Sequence, residues 1–427
     1  MPKKKVEIEE KEQILTEEKK IAFTAIEQQL DELNGIGKDI WRLREKSGKE
    51  YKCHDRIVKF LKRKGFKVSE RYKGFKTAFR AEFGEGEVGG VDHPNIGFLC
   101  QYDADEATGH SQGHNLVTVV ALTAALGVQT VIKFATEPVG MVTVIGCCGH
   151  PDNVGKILMF EEGCFKGIDF LLTAYPAHYT NVRPHFVGSQ RNKIVFRGRS
   201  RPEGDRPWEV ANPVNAVVLA YQNIASARQQ FKEDWLVKGV IAEAGSKADV
   251  MPEFSTMDFI TKAPKPIEMK VLSEMLQRSY EAAAMASGCR FEIEPAVKEF
   301  LCNITCPRLV ELYKHNATLM GFTFHHKMKA FEPPDDIANV TTAVPTLKVF
   351  YYSGSSAELG TDEFSRYAGS KECEFMSIVQ GKALAMLAID LMVSEENMKE
   401  VFEEHQSELV RLYESAGIAP SEVTPQQ

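Results

Sequence analysis

The chain predicts an α/β fold in which a mostly parallel central sheet is sandwiched by helices and a smaller α+β domain is inserted. Short apolar runs alternate with helical patterns up to Ala174, which is typical of parallel strands joined by helices. From about Phe186 the order becomes strand, helix, two strands, helix, strand. After Asn303 a helix, a strand and a long apolar helix resume the first pattern. We therefore expect the first and last parts to form one domain that the middle part interrupts.

Helical segments precede the first predicted strand. Apolar residues at near-helical spacing predict one long helix or two over Glu17–Lys46, and Tyr51–Gly65 continues helically. Apolar runs and helical patterns then alternate as far as the insert. Strands are predicted from Phe66 and over Phe75–Phe83, Ile96–Cys100, Met141–Cys147 and Phe170–Ala174, and helices over Leu116–Leu126 and Asn153–Glu162.

The insert is predicted to be an antiparallel sheet with two helices on one face. Its strands are expected at Lys193–Gly198, Trp235–Ala242, Glu253–Lys262 and Cys289–Pro295, and its helices at Asn212–Gln230 and Pro266–Gly288. We divide the chain into an inserted lid and dimerisation domain, residues 188–301, and a split α/β domain, residues 1–187 and 302–427. The apolar helix Ser370–Val393 is the last element that the sequence predicts.

Composition excludes several classes of function. The 427 residues carry a net charge of −7, without the concentrated basic face that nonspecific nucleic-acid binding requires. No stretch approaches the ~18 apolar residues of a membrane span, and the Lys- and Glu-rich start of the chain shows no secretory signal. The nine cysteines are scattered, which favours reduced thiols in a cytoplasmic protein. We expect neither a nucleic-acid nor a membrane partner.

The loop after the predicted strand Ile96–Cys100 carries the most chemistry. It is Gln101-Tyr-Asp-Ala-Asp-Glu-Ala-Thr-Gly-His-Ser-Gln-Gly-His-Asn-Leu116, and α/β enzymes collect ligands at such strand ends. The loop resembles Tyr-Asp-Ala-Leu-Pro-Gly-Ile-Gly-His-Ala-Cys-Gly-His-Asn, a signature of the zinc aminoacylase/dipeptidase metallopeptidase family. The similarity extends from Ile21 to the C-terminal helix, and its branch resembles the amidohydrolases that include β-alanyl-lysine dipeptidase.

The resemblance implies two bridged zinc ions in the catalytic domain, and it also shows which metal-site groups differ in this chain. His114 keeps its ligand type. The replacements are Gln112 for a cysteine, His150 and Pro151 for two glutamates, and Tyr175 and Gly360 for two histidines. An amide is a poor zinc ligand, proline has no side-chain donor or acceptor, and the lost glutamates include the general base. The resemblance therefore predicts that the zinc chemistry is lost and that the protein uses no metal and no other cofactor.

The resemblance also implies an insert that closes over the cleft as a lid and forms a homodimer. Lys262 is located where the family has an arginine that grips a substrate carboxylate, and Asp249 where it has an asparagine. Arg201-Pro-Glu203 replaces a Ser-His-Ala whose histidine stabilises an oxyanion in the family. The predicted helix from Val214 to Ile224 covers its own sheet with one apolar face. An edge of that sheet is then left to pair across a two-fold axis, as in the family.

Two sets of residues are candidates for the site in this chain. Asp103, His114 and His150 form a candidate catalytic set, because histidine–carboxylate pairs titrate near neutrality and move protons without a metal. The alternative is that Asp103 only accepts hydrogen bonds from His114 or from loop amides. The candidate ligand-binding residues are Asp105, His110, Gln112, Tyr175, Asp249, Lys262 and Gly360.

Three functions remain open at this stage. The first is a catalytically degenerate, metal-free relative that binds a small amide, peptide or other metabolite in the former active-site cleft. The second is an enzyme with changed, metal-independent acid/base chemistry in the same cleft. The third is a residual zinc dipeptidase or amidohydrolase. Cys147 and Cys148, near His150, are predicted to be buried and inert rather than nucleophilic.

Overall fold

The computed structural model describes residues 15–88, 91–198, 208, 210–324 and 331–419. The strands within these residues are β1 (Lys67–Glu70), β2 (Phe79–Gly84), β3 (Glu87–Val88), β4 (Val91–Asp92), β5 (Asn95–Gln101), β6 (Met141–Cys147), β7 (Phe170–Ala177), β8 (Gly188–Arg197), β9 (Leu236–Glu243), β10 (Phe254–Ala263), β11 (Arg290–Pro295) and β12 (Thr346–Tyr352). The α-helices are α1 (Glu17–Glu27), α2 (Leu30–Leu43), α3 (Tyr51–Arg63), α4 (His114–Phe134), α5 (Gly155–Glu161), α6 (Pro213–Ala227), α7 (Pro266–Ser287), α8 (Pro307–Leu319), α9 (Ile337–Val340), α10 (Asp362–Tyr367), α11 (Lys371–Val393) and α12 (Glu395–Tyr413).

The main sheet has the order β1-β2-β6-β5-β7-β12. Strands β6, β5, β7 and β12 are parallel, whereas β1 and β2 pair antiparallel at one edge. Alternate residues of β5 belong to different apolar clusters: Phe98 packs with the helices on one face and Leu99 with those on the other. A strand that is buried on both faces has a continuous apolar run in its sequence. The predicted α/β fold with a mostly parallel central sheet is therefore confirmed.

The central strands diverge at their carboxyl ends. The ladder between β5 and β7 runs from Ile96 opposite Phe170 to Phe98 opposite Leu172, although both strands continue beyond it. The outer neighbours remain paired to the end, with Gln101 opposite Cys147 and Tyr175 opposite Phe350. This divergence leaves room between β5 and β7 at the edge of the sheet where parallel α/β folds bind ligands.

The helices α4 and α11 fill the space on one face of the main sheet. Both are long and apolar enough to cross a membrane by length and composition, so the sequence prediction that no stretch approaches this length was wrong, but most of each helix is buried inside the protein. Residues Asn115 to Gln129 of α4 are all buried. A helix that is apolar all round is expected in the core of a large domain.

A second sheet has the order β11-β8-β10-β9 and is antiparallel throughout. Helices α6 and α7 pack on it, burying Val217, Ile224 and Leu272 against Ile194 and Phe259. We call the part from β8 to β11, with α6 and α7, the inserted unit. Its sheet and helices follow the predicted order, whereas the exact domain boundaries at 187/188 and 301/302 stay predictions. The Arg201–Glu203 segment lies outside the described residues.

The sequence predicted that the apolar helix Ser370–Val393 is the last element. In the structure a further helix, α12, follows it directly. Ser394 caps α12 by accepting a hydrogen bond from the Asn397 backbone N–H. Its buried stripe consists of Val401, His405, Leu409 and Tyr413, spaced four residues apart. Two of these four side chains are polar or amphipathic, and eight of the other fifteen residues of the helix are charged, so its apolar pattern is weak in the sequence.

Candidate ligand-binding cleft

A cleft of about 820 Å³ lies at the carboxyl ends of the parallel strands. Four residues at or near the ends of these strands line the cleft. They are Gln101, the last residue of β5, Cys148, which follows β6, Tyr175 in β7 and Phe350 in β12. The first residue of α4, His114, faces it as well. The parallel sheet therefore gathers side chains that are far apart in sequence, as expected for this edge of an α/β fold.

Asp103 and His114 form a hydrogen-bonded pair in the cleft. The carboxylate oxygen Oδ1 of Asp103 lies 2.7 Å from Nδ1 of His114, and Ser47 Oγ donates to Oδ2 at 2.8 Å. Burial alone would raise the pKa of Asp103, but the neighbouring His114 holds it well below its usual range. The pair fixes the imidazole so that its other nitrogen is available to the cleft, which is the arrangement that orients a histidine base or hydrogen-bonding group.

Glu50 is a second carboxyl group behind Asp103 that the sequence did not reveal. It is fully buried, and it accepts hydrogen bonds from the backbone N–H groups of Gly48 (2.6 Å) and Gly149 (2.9 Å) and from Thr77 Oγ1 (2.8 Å). A Cβ atom at Gly149 would lie 2.6 Å from Glu50 Oε1 and 2.8 Å from Asp103 Oδ2. The loop after β6 therefore needs glycine here, because the two carboxyl groups flank its backbone. Burial raises the pKa of Glu50 to about 7.

The raised pKa of Glu50 predicts a pH dependence of stability. Because the folded-state value is about 7 and the ordinary value 4.5, the folded protein binds this proton more tightly than the unfolded chain. The contribution of Glu50 to the free energy of unfolding is therefore complete below its ordinary pKa of 4.5, and it is lost as the pH rises through the folded-state pKa of about 7. Relative to Glu50→Gln, the free energy of unfolding of the wild type should fall by roughly 3 kcal/mol from about pH 4.5 to about pH 8. Urea unfolding of both proteins across this range measures it, and a constant difference would contradict the assignment.

Two buried ion pairs form the far wall of the cleft. Lys156 Nζ lies 2.5 Å from Asp336 Oδ1, and the Lys156 backbone N–H donates to Oδ2 at 2.8 Å. Lys348 pairs with Asp335, and its Nζ is 3.5 Å from the centroid of the Tyr175 ring. Burial alone would lower the pKa of Lys156, but Asp336 holds it well above its usual range. The wall of the cleft therefore already carries two ammonium groups.

Two polar atoms of cleft residues have no hydrogen-bond partner within the described part of the chain. They are Gln101 Oε1 and Tyr175 Oη, on side chains of residues that are 7% and 6% exposed. Leaving a buried polar atom unpaired costs about 1–3 kcal/mol. Both atoms are closed off from solvent in this arrangement, so a molecule in the cleft would reach them only if neighbouring side chains moved.

The structure brings together only some of the residues that the sequence singled out. Asp103, Gln112, His114, His150 and Tyr175 line the cleft. His150 is more open than the others, with 37% of its side chain exposed, and its Nδ1 accepts a hydrogen bond from the Asp152 backbone N–H. The predicted candidate set therefore meets in the cleft, although His150 is not hydrogen-bonded to the pair of Asp103 and His114.

The other predicted residues of the loop and of the β12 end lie outside the cleft lining. Asp105 accepts hydrogen bonds from the backbone N–H groups of Ala107 and Thr108, both at 2.9 Å, which stabilise the turn instead. His110 is buried, and its Nε2 lies 2.9 Å from the Ile40 carbonyl oxygen. Gly360 has φ of +83°, a backbone conformation that glycine adopts without strain.

The predicted lid residues are also away from the cleft. Asp249 is exposed in the segment before β10, and Lys262 lies within β10, between Ser189 of β8 and Leu236 of β9. Among the described residues of 188–301, Phe300 alone lines the cleft. The placement of Asp249 and Lys262 depends on the orientation of the inserted unit, which local sequence does not specify.

The described residues contain no group of three or more His, Cys, Asp or Glu side chains that could hold a metal ion. Of the two cysteines near His150, Cys147 is buried in the apolar core and Cys148 lines the cleft. Burial raises the pKa of Cys148 to about 12, so its thiol stays protonated near neutral pH and is a weak nucleophile. The chemistry of the cleft therefore rests on histidine, tyrosine, amide and carboxylate groups.

The fold of this chain is also found in solved structures of other proteins, among them an aminohydrolase and a peptidase. An aminohydrolase structure from methicillin-resistant Staphylococcus aureus superimposes with a TM-score of 0.72 at 15% identity, covering 88% of this chain and all of the other. A dinuclear metal-binding peptidase of the M20 family from Bacillus subtilis gives a TM-score of 0.61 at 16% identity, covering 85% and 99%. At these identities the similarity establishes the fold.

Sequence comparison establishes the family. The chain is 30% identical over 382 residues to the Xaa-Arg dipeptidase of Mus musculus, covering 88% of this chain and 89% of that protein. No protein-family model matches the chain. The protein belongs to the M20 family of peptidases and amidohydrolases.

Proposed function

We propose that the protein binds a small peptide or amide in the cleft and does not carry out two-metal hydrolysis. The observation that carries this proposal is the preformed cleft of about 820 Å³ at the carboxyl ends of the parallel strands, which the hydrogen-bonded Asp103–His114 pair lines. A preformed cleft with a few polar groups among apolar walls is typical of small-molecule sites.

The residues of the cleft do not fit a dinuclear metal centre. At the positions where the resemblance implies metal ligands, His114 supplies an imidazole, while Gln112 offers a neutral amide and Gly360, outside the cleft lining, has no side chain. The Lys348 ammonium rests on the Tyr175 ring, and it would repel a metal cation bound nearby. We therefore derive no chemical step through a metal.

Lining residues suggest that the ligand carries a positive charge. The exposed carboxylate of Glu358 and the ring of Tyr179 line the cleft. The buried Glu332 instead accepts hydrogen bonds from Tyr179 and Asn181, and Lys348 already lies 5.0 and 5.4 Å from the Phe186 and Phe350 rings. Carboxylates and aromatic faces together attract ammonium and guanidinium groups. The mouse relative is named for dipeptides ending in arginine, and we propose a dipeptide of this kind as the ligand class.

A binding and metal measurement on the full-length protein tests the proposal. Protein purified without added metal should contain far less than one zinc ion per chain, and it should bind glycyl-arginine with the same affinity with or without a chelator. Elemental analysis and isothermal titration calorimetry measure these quantities. One or two tightly held zinc ions per chain, or dipeptide hydrolysis that chelation abolishes, would instead establish the zinc dipeptidase.

The Asp103–His114 pair supports a second candidate, an enzyme with metal-independent acid/base chemistry. Its 2.7 Å contact orients the imidazole toward the cleft, as a general base requires. Incubation with glycyl-arginine and mass spectrometry of the products separates the two candidates. Turnover that survives chelation and disappears in a folded His114→Ala variant would favour the enzyme, whereas binding without product favours the first proposal.

We also propose that the protein is a homodimer through the inserted unit. Strand β9 is an edge of its sheet and exposes Val240 (60%) and Ile241 (40%). An exposed apolar edge strand is a template for pairing with a second strand. Light scattering at micromolar concentration should give about twice the chain mass of 47.8 kDa. Val240→Lys should shift the protein toward monomer, whereas the matched change at the exposed Val250 should not, and a wild-type mass near that of one chain would contradict the proposal.

We also propose a cytoplasmic location, which the free thiols of the cysteines support. All nine lie within the described residues and carry free thiols. Reducing compartments keep thiols in this state.

A further inference from the structure

A second pocket, of about 420 Å³, lies at the opposite end of the main sheet from the cleft. Asp169 directly precedes β7 and Pro345 directly precedes β12, and both residues line this pocket. Phe402 and His405 of α12 line it from the side of the last helix. We call it the amino-end pocket, because it lies at the amino ends of the two strands whose carboxyl ends reach the cleft. No described residue lines both.

Three phenylalanine side chains line the amino-end pocket. Phe160 and Phe165 are buried, and their ring centroids are 6.5 Å apart with planes inclined by 58°. Phe402 packs its ring on Phe170 of β7 at a centroid distance of 4.8 Å, yet the residue remains 38% exposed. Aromatic side chains pack favourably against further rings in stacked or edge-to-face arrangements. The pocket therefore offers aromatic surface that an aromatic molecule would cover.

His405 adds a polar atom to this aromatic surface. The residue is 1% exposed, and its Nε2 lies 2.7 Å from the Thr341 carbonyl oxygen. A carbonyl oxygen only accepts, so Nε2 carries the hydrogen, and burial lowers the pKa of His405, which keeps the ring neutral near pH 7. Nδ1 is then an acceptor, and no described residue donates to it. In contrast to Gln101 Oε1 and Tyr175 Oη, it is not closed off from solvent.

The charges around the amino-end pocket do not select a charged ligand. They have both signs and none belongs to a buried residue: Lys73, Glu161, Glu162, Lys166 and Asp169. Two of the carboxylates are already engaged, because Glu161 pairs with Lys298 at 2.8 Å and Asp169 accepts the Asn95 backbone N–H at 2.7 Å. The volume of about 420 Å³ is in the lower part of the range of small-molecule sites, about 300–1,000 Å³. A small neutral ligand fits these properties.

We propose that the amino-end pocket binds a small neutral aromatic molecule that carries an N–H or O–H donor, the chemical class of indole. Its ring would contact Phe160, Phe165 and Phe402, and its donor would bond to Nδ1 of His405. A purely apolar molecule would leave Nδ1 without a donor, and a carboxylate or phosphate would place an acceptor against it. The inference does not depend on the proposed function of the cleft, because it uses none of the residues that line the cleft.

Two ligands of the same shape test the donor on the full-length wild-type protein. Indole carries an N–H group, whereas benzofuran has the same pair of fused rings with an oxygen in that place. We expect indole to bind at one site per chain and about 2- to 10-fold more tightly than benzofuran, because it gains one hydrogen bond. A ligand-observed NMR titration measures both dissociation constants. Equal affinities, or no saturable binding of indole at millimolar concentration, would overturn the proposal.

Variants of the pocket locate the bound indole. Phe402→Ala removes a partly exposed ring of the pocket and should weaken indole binding about 5-fold or more. Phe375→Ala is the matched control, because Phe375 is 66% exposed on α11 and lies outside the pocket. It should leave the affinity within about twofold of the wild type. Indole binding that Phe402→Ala leaves unchanged would mean that the ligand occupies another place, and it would contradict the assignment.

His405→Phe tests the acceptor itself, because it keeps a ring at this position and removes both nitrogens. Indole and benzofuran should then bind with equal affinity, a result that a general loss of structure would not produce. Circular dichroism establishes whether each variant is folded. If His405→Phe does not fold, the comparison of the two ligands on the wild type and the loss in Phe402→Ala decide the proposal. A folded His405→Phe that still prefers indole would show that Nδ1 is not the acceptor.

Discussion

Replacing Asp336 with alanine should lower the free energy of unfolding by about 3–5 kcal/mol. The substitution removes the partner of the Lys156 ammonium, which lies 2.5 Å away on a side chain that is 4% exposed. It also leaves the Lys156 backbone N–H without its 2.8 Å acceptor. A buried charge without a partner is among the most destabilising defects in a folded protein. Urea unfolding monitored by circular dichroism measures the loss.

Two controls separate this effect from a general sensitivity to charge removal. Glu403→Ala removes the partner of Lys399 in a pair that is 3.8 Å apart and has side chains 68% and 77% exposed, and it should cost less than about 1 kcal/mol. The double replacement of Lys156 by methionine and Asp336 by leucine should recover most of the lost stability, because it removes the uncompensated charge. A loss below about 1 kcal/mol in Asp336→Ala would show that the pair is not buried as described.

The second large effect is expected on ligand affinity. His114→Ala and Asp103→Asn should each weaken glycyl-arginine binding by about 1–3 kcal/mol, roughly 5- to 150-fold. His114 faces the cleft, and Asp103 fixes the orientation of its ring through the 2.7 Å hydrogen bond. Isothermal titration calorimetry measures the affinity, and circular dichroism confirms that each variant is folded.

Asp105→Asn is the matched control for Asp103→Asn. Both carboxylates belong to the loop after β5, but Asp105 accepts hydrogen bonds from Ala107 and Thr108 and does not line the cleft. Its replacement should leave affinity within about twofold of the wild type, since it acts on the turn alone. Equal losses at both positions would mean that the loop acts through its stability rather than through the Asp103–His114 pair.

Local patterns predicted the central sheet because its strands are buried on both faces and give continuous apolar runs. The family resemblance implied that Asp103, Asp105, His110, His114 and His150 converge on one cleft, and three of them line it, whereas Asp105 and His110 do not. Local patterns could not predict that Lys156 pairs with Asp336, 180 residues away in the chain. Glu50 was missed because it lies directly before α3, 53 residues ahead of Asp103 in the chain, and belongs to no sequence motif. Helix α12 was missed because its buried stripe is narrow and partly polar.

The ammonium group of Lys348 on the Tyr175 ring also limits how this protein could be engineered. A histidine introduced at position 175 would share its surroundings with a cation that is already paired to Asp335. Grafting ligands one at a time would therefore place a metal ion against an existing positive charge. A redesign toward metal binding would have to replace Lys348 and Asp335 in the same step, because a sequence in which only one of them is replaced would carry an unpaired buried charge.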